Sequence, residues 1–274
     1  MKLIHTPKGG HKIFYLFTIL FFSCGQATAL EIKLKKENWG NVSSEEIKKV
    51  LSFTAKQFVP CSPLLKEAKI EVSRTQSSPI VLHARGKEGT YQVKLNTRER
   101  FWTQYAFQFA HELGHIICGY QKGYDGNQWF EECLCEVASL YCLKSISKTW
   151  AQKPPYPRWQ NYAKEFSKYA NARIRDAKIP ENFSLPNWWR NNRKALSQNQ
   201  GMRRQYIWVA TKLLPLFQTN PVIAWSACKW LNHKKSNSVR SFRKSLQDWK
   251  NSCPDQKYED FVTQVAKLFE VYLS

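Results

Sequence analysis

Residues 101–119 read FWTQYAFQFAHELGHIICG and carry the clearest structural pattern of the chain. Its apolar side chains recur at intervals of three and four residues and proline is absent, a pattern that predicts one α-helix. Gly119 is a natural stop for this helix, because glycine readily adopts the conformation found just after many helix C-termini. Within the helix, the HELGH run at residues 111–115 places two imidazoles about one turn apart, so both can point at a single metal ion.

The residue types in this run suit zinc chemistry. Zinc takes nitrogen, oxygen or sulfur ligands in roughly tetrahedral geometry, and a catalytic zinc site keeps one position for water. His111 and His115 are therefore predicted as two metal ligands. Glu112 lies beside them on the helix, where it can take a proton from a water at the metal. A third protein ligand is expected close by.

A second predicted helix supplies the candidates for that ligand. It follows a loop rich in turn-forming residues and reads WFEECLCEVASLY at residues 129–141. Glu132 and Glu136 are four residues apart and therefore share one face of the helix. Glu131 is a further acidic side chain next to them.

Together, the two helices resemble the gluzincin group of zinc metallopeptidases, over about residues 79–143. In that group the second helix supplies a glutamate ligand and, four residues later, an acidic residue that hydrogen-bonds a metal-binding histidine. The resemblance implies Glu132 as the ligand and Glu136 as the partner of a histidine, a contact that fixes the orientation and tautomer of the ring. Many gluzincins have aspartate where this chain has Glu136, so an exchange of the two roles stays open, with Glu131 as a further alternative.

The resemblance also implies an activity and a cofactor. One zinc ion per chain is expected, held by His111, His115 and Glu132. Glu112 is expected to act as the general base in hydrolysis of a peptide or protein substrate. A tyrosine or histidine from the C-terminal part often stabilises the oxyanion in gluzincins, and Tyr162, Tyr206 and His233 are the candidates here. No local pattern chooses among these three.

The pattern along the chain predicts an α+β fold. Segments rich in β-branched and aromatic residues predict strands at residues 31–35, 69–72, 79–84 and 90–95. A capping box beginning at Ser43 predicts a helix to about residue 58. Beyond residue 144 the apolar spacing is helical. We therefore expect a zincin-like lobe at residues 30–149, with a small sheet and the two metal-site helices, followed by an all-helical lobe at residues 150–274.

In zincin folds an edge strand beside the site binds the substrate backbone by β-augmentation. Residues 79–84 and 90–95 are the two candidates for this strand. His83 lies in the first of them. Because two histidines and a glutamate already complete a ligand set, His83 is interpreted as a structural or surface residue.

The N-terminal residues 1–29 carry the pattern of a secretory signal peptide. Three lysines precede an apolar run at residues 13–22, and Ala27-Thr28-Ala29 forms a small-x-small cleavage site. A lipoprotein signal with Cys24 as the acylated residue is the alternative. Either interpretation predicts export to the periplasm or the extracellular space.

Charge and cysteine content limit the remaining possibilities. The net charge of +21 allows peripheral contact with an anionic envelope surface. No basic and aromatic nucleic-acid module is recognisable, so no nucleic-acid partner is expected. Of eight cysteines, seven follow the predicted signal peptide. They could form disulfides in an oxidising compartment, remain as buried thiols, or supply a thiolate cluster to zinc.

Two functional hypotheses follow from the sequence. The first is a secreted or envelope zinc-dependent metallopeptidase with Glu112 as its base. The second is a non-catalytic, basic binding protein of the envelope whose zinc site is structural or degenerate. An intact Glu112 favours the first, because a structural zinc has no need of a general base. A closed site with a fourth protein ligand, from Glu136 or a cysteine, would favour the second.

Overall fold

The computed structural model describes residues 30–123, 125–198, 202–234 and 238–274. The predicted signal peptide, including Cys24, lies outside these ranges. The described part contains a four-stranded sheet and ten α-helices, which confirms the predicted α+β class. The strands are β1 (Glu31–Leu34), β2 (Lys69–Arg74), β3 (Ile80–Val81) and β4 (Tyr91–Leu95). The helices are α1 (Ser44–Lys56), α2 (Pro63–Lys66), α3 (Trp102–Ile117), α4 (Gln128–Gln152), α5 (Ala163–Asp176), α6 (Leu185–Ser197), α7 (Arg203–Thr219), α8 (Pro221–Cys228), α9 (Phe242–Ser252) and α10 (Gln256–Leu268).

Helix α1 begins at the predicted capping box. The hydroxyl of Ser43 accepts a hydrogen bond from the backbone N–H of Glu46 at 3.1 Å, and the Glu46 carboxylate accepts one from the Ser43 N–H at 3.3 Å. These reciprocal bonds satisfy backbone donors that the first turn of a helix leaves free. The apolar face of α1, with Ile47, Val50 and Leu51, is fully buried, and the helix packs beside α3 and β1.

The strand order in the sheet is β1-β2-β4-β3. Strands β1, β2 and β4 run parallel, whereas β3 pairs with β4 in the antiparallel direction, with Ile80 opposite Lys94. The predicted strand at residues 79–84 is thus reduced to two paired residues. Strand β4 is interior and β3 is the edge. Of the two segments considered as a substrate-binding edge strand, only the first therefore lies at the edge.

Helices α3 and α4 approach each other closely at Gly114, inside the HELGH run. A Cβ atom on Gly114 would lie 3.0 Å from both the Cα and the Sγ of Cys135, and 3.3 Å from the Cβ of Ala138. Contacts of 3.0–3.3 Å are tighter than most Cβ contacts in proteins, so any larger residue would force its neighbours to shift, and glycine allows this close crossing. The crossing places the acidic residues at the start of α4 opposite the histidines of α3.

We expect the methyl group added in Gly114→Ala to overpack the crossing, at a cost of about 1–3 kcal/mol. Alanine gains about 1 kcal/mol over glycine within a helix, so the free energy of unfolding should fall by up to about 2 kcal/mol. Urea unfolding followed by circular dichroism measures the difference. Gly86→Ala is the control, since the nearest atom to its new Cβ lies at 3.6 Å. A Gly114→Ala protein about 1 kcal/mol more stable than the wild type would show that the crossing is not tightly packed.

Aromatic packing fixes the N-terminal turn of α4. Trp129 and Phe130, directly before the two adjacent glutamates, pack against Phe242 of α9 with ring centroids 4.9 Å and 5.1 Å apart. Phe269, just after α10, stacks edge-on with Phe242 at 5.0 Å. The C-terminal helices therefore hold the segment that carries Glu131 and Glu132.

The predicted division into two lobes remains a prediction. Helix α4 runs continuously across the proposed boundary at residue 150, and α5 and α7 both pack on it. The buried apolar residues form one connected core that extends from the sheet to α10. In the described part of the chain, no helix combines the length and the apolar character needed to cross a membrane.

Candidate metal centre

The structure brings the predicted ligands His111, His115 and Glu132 together between α3 and α4. Nε2 of His111 lies 3.3 Å from Oε2 of Glu132, and Nε2 of His115 lies 3.9 Å from Oε1 of the same carboxylate. Nitrogen and oxygen ligands at about 2.0–2.1 Å from a tetrahedral zinc are separated by about 3.3–3.4 Å. The Glu132 carboxylate and the two imidazoles therefore stand close to the spacing that a shared ion requires.

Glu131 contacts the other nitrogen of the second histidine. Oε1 of Glu131 is 2.6 Å from Nδ1 of His115. Oε2 of Glu131 accepts a hydrogen bond from Nδ2 of Asn232 at 2.7 Å, and this amide also donates to the carbonyl oxygen of Cys118 at 3.1 Å. A carboxylate on Nδ1 orients the ring and leaves Nε2 free for a metal. Sequence reasoning treated Glu131 as an alternative ligand and did not find Asn232, which is 101 residues further along the chain.

We expect Asn232→Ala to weaken zinc affinity by about tenfold. The mutation removes the hydrogen bond from Asn232 to Glu131, so Glu131 orients the ring of His115 less well. Competition with a fluorescent zinc chelator measures the dissociation constant. The exposed Asn171 on α5 provides a matched control, whose alanine variant should bind zinc as the wild type does. An unchanged zinc affinity in Asn232→Ala would show that Asn232 does not support zinc binding.

Glu136 lies near His111, but the hydrogen bond implied by the resemblance is not present. Oε2 of Glu136 is buried without a hydrogen-bond partner among the described residues. Burial raises the pKa of Glu136, while the nearby His111 and Arg173 act in the opposite direction. Glu131, and not Glu136, therefore contacts the second ring nitrogen of a histidine, Nδ1 of His115. Glu136 influences His111 through charge alone.

Glu112 is the most enclosed carboxylate of the cleft, with 2% of its surface exposed. Burial raises its pKa, and the neighbouring histidines and the backbone of Val81 partly counter this effect. A carboxylate with a raised pKa is a better proton acceptor. Glu112 and Val81 line the same cleft, so the carboxylate lies beside the edge strand β3.

The surroundings shift the pKa values of His115 and Glu132 in opposite directions. For His115, burial lowers the pKa, but the hydrogen bond to Glu131 and the surrounding carboxylates outweigh it and raise the pKa to about 9. For Glu132, burial raises the pKa, but the contacts with His111 and His115 outweigh it and lower the pKa to about 2. A divalent cation that binds here would replace the imidazole protons, since metal ligands must be deprotonated.

Cys135 is a further donor close to the two histidines. The three residues His111, His115 and Cys135 form a group that could hold a metal ion, with ligand atoms within 4.8 Å of one another. The thiol is fully buried at the crossing with Gly114, and burial raises its pKa well above the ordinary value. The Glu132 oxygens lie 3.3 Å and 3.9 Å from the two Nε2 atoms, so two sets of three ligands share the same pair of histidines.

The seven cysteines in the described residues are all buried and none is in a disulfide. Of the predicted alternatives, the buried thiol describes their state in this structure. Cys135 alone belongs to a metal-binding group, so a cluster of several thiolates is not seen in the described part of the chain.

A cleft of about 610 Å³ opens in front of the metal-binding group. One side is formed by β3 and the loop before it, and the hydroxyl of Tyr120 holds this side in place by donating to the carbonyl oxygen of Leu82 at 2.6 Å. His83 also lines the cleft, and its ring lies 5.2 Å from that of Tyr120. His83 is not part of the metal-binding group.

None of the three candidates for oxyanion stabilisation lines this cleft. Tyr206 is buried on α7, His233 packs against Trp230, and Tyr162 lies near Thr103. The cleft is lined instead by Arg203, the first residue of α7, whose Nη2 lies 4.0 Å from Oε1 of Glu132. Sequence reasoning missed Arg203 because no local pattern marks an arginine that only helix packing brings to the site.

Comparison of the chain with protein-family models, with curated proteins and with solved structures found no significant match. The assignment of the site therefore depends on its own geometry.

Proposed function

We propose that this protein is a zinc-dependent metallopeptidase with a zincin-like catalytic region. The proposal is carried by one observation. A buried glutamate, two histidines and a second glutamate meet at a cleft that an edge strand borders. The donor set of two imidazole nitrogens and one carboxylate fits zinc and leaves one position for water. Glu112 distinguishes such a centre from a purely structural one.

Each side chain has a separate task in this proposal. His111, His115 and Glu132 would hold the zinc, which when bound supplies a Lewis acid that lowers the pKa of a water and polarises the scissile carbonyl. Glu112 accepts the proton of the attacking water and passes it to the leaving amine. Glu131 keeps the ring of His115 in the orientation that ligation needs.

The edge strand and the cleft wall position the substrate. A peptide can pair with the edge strand β3 through backbone hydrogen bonds and so extend the sheet by one strand. Because Val81 and Glu112 line the same cleft, a peptide on this strand would pass close to the base. The signal-peptide pattern supports an exported enzyme that acts on envelope or extracellular proteins, with the basic surface in contact with anionic groups there.

A second candidate function is a structural metal site in a non-catalytic binding protein. The proximity of Cys135 to both histidines is the observation that favours it. Four protein ligands, His111, His115, Glu132 and Cys135, would close the coordination shell and leave no position for water.

The test combines metal analysis with peptide cleavage. We expect purified protein to contain one zinc per chain by elemental mass spectrometry and to cleave members of a peptide library. A chelator should abolish cleavage and zinc should restore it, whereas His111→Ala should show neither zinc nor cleavage. Zinc without cleavage of any peptide would favour the structural role. Absence of metal after reconstitution with zinc would contradict both candidates.

A further inference from the structure

The ionisable side chains of the cleft divide into two groups. The acidic residues that line it, among those the structure describes, are Glu112, Glu131 and Glu132, and all three belong to the metal centre. The remaining charged side chains in the lining are the cations Lys94 and Arg203. A substrate that reaches the metal centre therefore meets positive charge with no free carboxylate beside it.

Lys94 differs from the other lysines that lie on the strands. Lys33 of β1 and Lys69 of β2 each form an ion pair with a glutamate. Lys94 has no carboxylate partner in the described part of the chain, although it is partly buried at the cleft. It lies opposite Ile80 in the pairing of β4 with the edge strand β3. Paired residues of neighbouring strands share a face of the sheet, so Lys94 lies on the same face as Ile80, one strand in from the free edge that a bound peptide would use.

Arg203 provides a second positive charge at the metal end of the cleft. Its side chain is 73% exposed and has one long ion contact, from Nη2 to Glu132. A guanidinium group has five N–H donors, so most of its hydrogen-bonding capacity remains available to a ligand. Arg203 is also the first residue of the 17-residue helix α7, whose N-terminus adds partial positive charge.

We propose that Lys94 and Arg203 make the cleft selective for peptides with an acidic side chain next to the scissile bond. This inference rests on the proposed peptidase function and names its substrate class. Arg203 is close enough to Glu132 to receive the carboxylate of an aspartate or glutamate adjacent to the metal. Lys94 lies on β4, one strand in from the free edge, where its positive charge attracts the same acidic peptide toward β3.

Binding to a catalytically inactive protein tests this selectivity directly. Zinc-loaded Glu112→Gln is titrated with fluorescent peptides that are identical except for glutamate, glutamine or lysine at the positions flanking the expected scissile bond. Charge-assisted hydrogen bonds lead us to expect about 10-fold to 100-fold tighter binding of the glutamate peptide than of the lysine peptide. This difference should shrink at high salt, because exposed charges are screened.

Charge substitutions in the same background identify the residues responsible. Lys94→Glu and Arg203→Gln should each remove most of the preference for the glutamate peptide, with zinc content measured in both to confirm an intact metal centre. Lys164→Glu makes the charge change of Lys94→Glu on an exposed residue of α5 outside the cleft lining and should leave the preference unchanged. Equal affinity for all three peptides, or a preference that survives both substitutions, would overturn the inference.

Cleavage of the peptide library by wild-type protein separates this inference from the proposed function. If the protein cleaves peptides without a preference for acidic residues beside the cleaved bond, the proposed selectivity is wrong and the proposed peptidase function is retained. If it binds acidic peptides selectively but cleaves none, the proposed peptidase function is wrong and the selectivity of the cleft for acidic peptides is retained. If no peptide is bound or cleaved, both fail.

Discussion

Glu112→Gln is expected to reduce peptide hydrolysis by about 10²-fold to 10⁴-fold and to leave the zinc content at one per chain. The amide has the same shape as the carboxylate and keeps one acceptor oxygen, so the metal centre should stay intact. It lacks the basicity to take a proton from water. Initial rates of peptide cleavage, together with elemental mass spectrometry, measure the two properties on the same preparation.

The control for this substitution is Glu181→Gln, which makes the same chemical change at an exposed position and should retain full activity. If Glu112→Gln cleaved peptides at nearly the rate of the wild type, Glu112 could not be the general base. Loss of zinc from Glu112→Gln would instead mean that this buried carboxylate is needed to build the site.

Glu132→Ala is expected to weaken zinc affinity by more than about 100-fold and to abolish hydrolysis, since changes outside the ligands already cost 10-fold to 100-fold. Cys135→Ser is expected to keep the zinc, because the Glu132 oxygens lie 3.3 Å and 3.9 Å from the Nε2 atoms. The two variants distinguish the two possible ligand sets. Zinc content and zinc dissociation constants are the measurements.

Cys133→Ser is the matched control for Cys135→Ser, because it places the same change at another fully buried position of α4. It accounts for any loss of stability that a buried hydroxyl causes by itself. Zinc retained in Glu132→Ala and lost in Cys135→Ser would assign the third ligand to the thiol. That result would favour a structural metal site over a peptidase.

The local parts of the structure could be predicted from the sequence. The apolar spacing at residues 101–119 gave a helix that ends at Ile117, and Gly119 has the positive φ of 63° expected at a helix end. The Ser43 cap and the four strands were also predicted, although β3 is shorter than its pattern suggested. Such features depend on interactions between residues close in the chain, and these leave a regular trace in the sequence.

The sequence could not predict how the acidic residues of α4 share their roles. Glu131, Glu132 and Glu136 lie within six residues, and their spacing alone permits several assignments. The rotation of α4 about its axis decides among them. This rotation follows from the close contact at Gly114 and from the packing of Trp129 against α9, which turn Glu132 toward the Nε2 atoms and Glu131 toward Nδ1.

By itself, the sequence determined the helix that carries His111, Glu112 and His115, because periodicity and spacing are properties of a single helix. The tertiary structure alone decided that β3 is the edge strand, that Asn232 supports Glu131, and that Lys94 and Arg203 border the cleft. These residues come from separate elements of the chain. Only the packing of those elements around one shared core brings them together, and such long-range contacts leave no periodic trace in the sequence.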